Sequence, residues 1–201
     1  MELKQYAQSA WKGGWLIILC TMVAAGAAYG ISSYLPATYR ASTSLLVSSG
    51  GSAGLDYSNL LASEELATTY AELLAKRPVL EQAALQLGLD PRAIRSQVRV
   101  QRIPNTTVIA LTVDDRDPRL AMDIANEMVA SFRQTLLDTG GVSARNLAVV
   151  EPAALPLSPI APRKMLNTAA AALVGLILSA GAAFAIEYWN DTLETPDDIR
   201  R

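Results

Sequence analysis

The sequence contains no histidine and a single cysteine, Cys20. Without imidazole there is neither His-based acid–base chemistry nor a His-ligated metal, which removes most hydrolase and metalloenzyme designs. One cysteine, set inside a long apolar block, excludes an intrachain disulfide and a Cys-rich metal site. Charge is nearly balanced, 17 Lys and Arg against 19 Asp and Glu, for a formal net charge of -2. Basic residues pair only briefly, as in Lys76-Arg77 and Arg163-Lys164, so the clustered positive excess that phosphate binding needs is missing and no nucleic-acid partner is expected. Also missing are the phosphate loop GxxxxGK[ST], a GxGxxG turn after a strand, the GxSxG elbow and HExxH. No catalytic residue, cofactor or metal ligand is assigned, and the expected protein is not an enzyme.

What is present is apolar sequence: 51% of 201 residues, much of it in two blocks. From Gly13 to Tyr39 there is no charged residue, and Trp15 to Tyr34 is long enough, at about 1.5 Å per residue, to cross a hydrocarbon core of roughly 30 Å. Met165 to Ile186 is the second such run. Trp11, Trp15 and Tyr34 surround the first, and Tyr188 and Trp189 follow the second, where interfacial aromatics belong. A buried core helix is the alternative for each block. For the first, so is a cleaved signal peptide, with Lys4 and Lys12 ahead of the apolar stretch and Ala25-Gly26-Ala27 resembling a cleavage site. That stretch continues past the site to Leu35, longer than an ordinary signal core.

The expected organisation is therefore an N-terminal segment 1–14, a span 15–35, a domain 36–164, a second span 165–186 and a tail 187–201. Two spans put both termini on one side. Charge beside the membrane favours cytoplasmic termini only modestly, because Lys4, Lys12, Arg200 and Arg201 flank one face while Arg163 and Lys164 flank the other. Small residues recur at four-residue steps, Gly26 with Gly30 and Gly175 with Ser179 and Ala183, a spacing that lets helix backbones approach. Ala-rich helices also generate such spacing by chance.

The domain reads as α+β. Tyr39 to Val47 alternates through Ala41, Thr43 and Leu45 like a strand and leads into a flexible Ser/Gly segment, Ser48 to Gly54. Glu64 to Lys76 is helical by pattern, with Glu64-Glu65 as first-turn charge; Pro78 ends it or opens a second helix, Val79 to Leu87, closed by Gly88. Asp90-Pro91-Arg92 and Asp117-Pro118-Arg119 have the form of helix starts, Asp as N-cap acceptor and Pro at the first helical position. The second opens a helix, Arg119 to Leu137, with Leu120, Ile124, Met128 and Phe132 on one face. Val98 to Ile103 and Thr106 to Val113 are β-rich runs around a Pro104-Asn105 turn, and Asn146 to Val150 is a last short strand.

Two features invite a functional reading. Asp114, Asp115 and Asp117 group carboxylates, but they lack the alternating ligands and closing Glu of a calcium loop, so a solvated turn is expected. Pro152, Pro156, Pro159 and Pro162 lie in the segment 152–162, the last three at a three-residue step that suits polyproline II. Such a strand serves either as a rigid spacer or as a docking and packing surface.

Taken together these residues resemble the chain-length determinant (Wzz) family of polysaccharide co-polymerases. The resemblance is carried by the strand from Tyr39 to Val47, the Thr-Tyr-Ala-Glu-Leu helix at Thr69 to Leu73 and the strand Thr107 to Val113. It extends through Asp117-Pro118 with Ala121 and Ile124-Ala125-Asn126. Its most specific part is the run Ala154 to Lys164 leading into a second membrane helix with Gly175. Glu187, Asp191 and Thr195 to Ile199 resemble the family's juxtamembrane ending. The resemblance implies a ring-like homo-oligomer in the bacterial inner membrane, beside a polysaccharide polymerase, regulating the length or export of capsule, exopolysaccharide or O-antigen. It also implies cytoplasmic termini. The chain has no room for the long helical arm of the enterobacterial O-antigen regulators and is closer in size to the short capsular adaptors paired with separate tyrosine kinases. In kinase-fused relatives a nucleotide-binding domain follows the second helix, whereas this chain stops at Arg201. By family, the tail residues Glu194, Pro196, Asp197, Asp198 and Ile199 would engage a cytoplasmic tyrosine kinase. A different class, a two-helix sensory receptor with an extracytoplasmic ligand domain, is the competing expectation.

Overall fold

Two long helices, α1 (Glu2–Tyr34) and α6 (Lys164–Asp191), bracket a run of shorter elements in the computed structural model, which describes residues 2–48, 57–139 and 146–191. The chain divides into two units: residues 1–36 with 162–201, and residues 37–161. The Ser/Gly stretch after Ser48 and the tail after Asp191 lie outside the described residues.

The 37–161 unit runs β1 (Tyr39–Val47), α2 (Tyr57–Leu74), α3 (Arg77–Leu87), α4 (Pro91–Gln97), β2 (Val98–Arg102), β3 (Val108–Asp115), α5 (Pro118–Asp138) and β4 (Leu147–Glu151). The strands form one antiparallel sheet in the order β2-β3-β1-β4. Period-two alternation decides its faces: Ala41, Thr43, Leu45 and Val47 of β1 and Ile109, Leu111 and Val113 of β3 are buried, while their neighbours turn outward. Helix α5 covers β1 and β3, α3 packs on α5, and α2 closes against the strands. Ile124, Met128 and Phe132 of α5 are fully buried, and Leu120 is partly so, which is the face their four-residue step predicts. Tyr70 of α2 meets Phe132 edge to face, ring centroids 5.9 Å apart at 78°.

Local signals fix several boundaries. The carboxylates of Asp90 and Asp117 each accept the backbone N–H two residues on, from Arg92 and Arg119, both at 2.9 Å, with Pro in the first turn. Gly88 ends α3 at φ 66°, where Leu89 N–H returns to the Ala84 carbonyl at 2.9 Å. Between β2 and β3, Asn105 takes φ 59°, a left-handed position that Asn tolerates.

Two expectations need correction, and the open choice at Pro78 is decided in favour of its opening a second helix. Helix α2 begins at Tyr57, so Glu64 and Glu65 are mid-helix residues rather than first-turn charge. The early turns were hidden because Leu60 and Leu61 are both exposed, 52% and 48%, and give the sequence no one-sided stripe. Pro78 lies in the first turn of α3, since α2 has already ended at Leu74. Strand β3 continues through Asp114 and Asp115, which pair with Arg40 and Tyr39 of β1 and so are not turn residues.

Candidate functional site

The proline-rich segment follows directly from β4. The Thr43 hydroxyl donates to the Glu151 carbonyl at 2.7 Å, and two residues later Ala153 is buried, 6% exposed. The Asn126 side chain on α5 brackets Ala153: its amide donates to the Ala153 carbonyl at 3.2 Å and its carbonyl oxygen accepts the Ala153 N–H at 3.1 Å. This mimics a two-bond strand pairing with a single side chain. Beyond a stretch without internal pairing the segment is tied again, with Thr38 N–H donating to Ala161 O at 3.0 Å and Ile160 N–H donating to Thr38 O at 2.8 Å. Pro152 and Pro159 are exposed, and Pro156 and Pro162 are half-buried. The segment is thus bonded to its own domain at both ends.

In the other unit, α1 and α6 pack antiparallel along their lengths. At Gly175 the two backbones come close: a Cβ built there would lie 2.8 Å from Ala24 Cβ and 3.5 Å from Thr21 Cα. The Asn167 amide donates to the Ser32 hydroxyl at 3.2 Å, and Ser32 is 3% exposed. Ser179 is buried with its hydroxyl returned to the Leu176 carbonyl, and Ala183 is half-buried. Gly26 is exposed, and a Cβ at Gly26 or Gly30 meets nothing within 4 Å. Within this helix pair the GxxxG residues therefore do not make the close contact, because residue 26 lies about 200° around the helix from residue 24. Both helices keep most of their apolar side chains on the outside of the pair: within Gly14–Tyr34 of α1 none of the most apolar 18-residue window is buried, and within Lys164–Ile186 of α6 only 6% of it is.

The acidic group is already engaged within the domain. Asp114 holds Arg40 in a two-pronged ion pair at 2.6 and 2.7 Å. That hydrogen-bonded guanidinium keeps the Asp114 carboxyl below its usual range; burial opposes the shift, and the charges of Arg40 and Arg99 reinforce it. Asp115, 9% exposed, accepts from the Gln97 side chain and from the Asp117 N–H at 2.7 Å, while Asp117 caps α5. Each carboxylate thus has a structural use, which the expectation of a solvated turn missed. Among the described residues no three His, Cys, Asp or Glu side chains gather around a point that could hold a metal. Glu194, Pro196, Asp197, Asp198 and Ile199 lie outside the described residues. Asn126, Arg40 and the Ser32–Asn167 pair were not singled out from sequence for these roles, since their partners stand 27, 74 and 135 residues away.

Comparison with known proteins agrees with this architecture. The family model described as chain length determinant protein, Wzz, matches residues 1–87. The capsular polysaccharide biosynthesis protein CpsC of Streptococcus pneumoniae is 24% identical over 205 residues, covering 99% of this chain and 88% of CpsC. The tyrosine-protein kinase etk of Escherichia coli (strain K12) is 27% identical over 131 residues, 65% of this chain and 16% of the kinase. Among solved structures, a full-length bacterial polysaccharide co-polymerase shares the fold, with a TM-score of 0.53 at 11% identity over 94% of this chain and 98% of that one. With an α+β unit between two apolar helices, a family-model match over residues 1–87 and a capsular relative along nearly its whole length, the chain is similar to the chain-length determinant (Wzz) family.

Proposed function

We propose that this protein is a non-enzymatic co-polymerase and adaptor that regulates the chain length or export of a bacterial surface polysaccharide. The observation that carries the reading is the pairing of a folded α+β unit with two lipid-length helices, in a chain similar to a capsular biosynthesis protein from end to end. In this reading 15–35 and 165–186 span the inner membrane, 36–164 lies outside the cytoplasm, and segments 1–14 and 187–201 lie inside. The packing of α1 against α6 supports a retained helix over a removed leader. Copies of the chain assemble as a ring beside the polymerase, and the 187–201 tail engages a cytoplasmic tyrosine kinase. The stretch shared with a tyrosine kinase supports that last step, as does the acidic run Glu194 to Asp198, which would complement a basic groove.

The deciding experiment is a clean deletion followed by gel analysis of the surface polymer. A changed size distribution or amount, restored by the wild-type chain, is the expected result; an unaltered polymer profile overturns the proposal. The kinase step is separable: a chain truncated after Asp191 should leave membrane insertion intact and lower phosphotyrosine on a cytoplasmic tyrosine kinase co-expressed with it.

A further inference from the structure

The descent of the proline-rich segment along β1 leaves chain to spare. Glu151 faces Ser44 and Ala161 faces Thr38, so β1 advances six residues between two points that the facing segment joins with ten. Six strand residues cover about 20 Å at roughly 3.3 Å each, and the surplus must leave the ladder. It leaves outward: past the buried Ala153, Leu155 is 42% and Leu157 is 95% exposed. From Pro152 to Pro162 the chain carries no charge, and Arg163 and Lys164 follow at once. Leu157 is seven residues from Lys164, where α6 begins, a reach of at most about 25 Å of extended chain.

We propose that the Leu155-Pro156-Leu157 bulge inserts into the interfacial layer of the bilayer, anchoring the domain to the lipid surface. The inference rests on the spanning reading of α6. An uncharged loop stiffened by four prolines loses little freedom on insertion, two leucines gain by leaving water, and the adjoining Arg–Lys pair matches anionic headgroup phosphates. Lipid is favoured over a second copy as the occupant because the bulge is continuous in sequence with a membrane-spanning segment and has basic residues at the junction.

The test uses the full chain with Cys20→Ser, reconstituted in nanodiscs containing phosphatidylglycerol. Single nitroxides are placed at Leu155→Cys, Leu157→Cys, the exposed α4 site Ser96→Cys and the exposed α6 site Leu178→Cys. Collision with oxygen, which partitions into lipid, is compared with collision with a water-soluble nickel chelate. The expected result is an oxygen-to-nickel ratio at 155 and 157 several-fold above that at 96, approaching that at 178. A ratio at 157 equal to that at 96 overturns the proposal. So does a label at 157 shielded from both reagents and broadened by a neighbouring label, which would assign the bulge to a second copy. If 178 itself collides mainly with nickel, the spanning reading fails, and this inference fails with it.

Discussion

Arg40 and Asp114 stand 74 residues apart and meet as a two-pronged pair across β1 and β3. Solvent reaches Arg40, 41% exposed in its side chain, and screens the attraction, so Asp114→Asn should lower stability by only about 0.5–1 kcal/mol. The sign with pH is fixed by the direction of the shift. A carboxyl held below its usual range in the folded protein stabilises fully above that range, and its contribution fades as pH falls through the lowered value. The melting temperatures of wild type and Asp114→Asn in detergent should therefore differ near neutral pH and converge in acid. Asn126 has a sharper role. Its amide closes two partly buried backbone groups of Ala153, and Asn126→Ala leaves both unmatched, which should cost about 1–3 kcal/mol. Hydrogen exchange should then show lost protection at Ala153, while the β1–β3 ladder stays protected until global unfolding.

The helix pair turns on a side chain that is missing. At Gly175 any Cβ presses on Ala24 at 2.8 Å, and that neighbour is too short to swing aside. In a Cys20→Ser background carrying Ser32→Cys and Asn167→Cys, oxidation should cross-link α1 to α6 efficiently. Adding Gly175→Ile should reduce the cross-link several-fold, whereas Gly26→Ile should leave it unchanged, because position 26 faces away from α6. The strands, the two Asp-Pro helix starts, the Gly88 stop and the buried face of α5 were all legible in the sequence, because each is dictated by residues within a few positions of one another. What was not legible joins distant segments. Nothing near Asn126 points to Ala153, nothing near Asp114 points to Arg40, and of two small-residue spacings only contact geometry shows which one meets its partner helix. The start of α2 was lost for a different reason: its first turns present leucine on the solvent side, which defeats a reading based on one buried stripe.

For the whole molecule, the proposed topology gives a direct expectation. Ser96→Cys in the Cys20→Ser chain, exposed on α4, should react with a membrane-impermeant maleimide in intact cells once the outer envelope is opened. A cysteine added at either terminus should react only after the inner membrane is breached. The opposite pattern would invert the orientation and remove any route from the tail to a cytoplasmic kinase. The bridge between Thr38 and Ala161 adds a consequence of another kind. The 37–161 unit has its entrance and exit at facing residues of one short ladder, the arrangement that makes a module easy to insert into a host chain or lift out of it. It should therefore survive grafting onto an unrelated helical hairpin whose ends are similarly close. Such chimeras could exchange outer domains among relatives while each host keeps its own anchor.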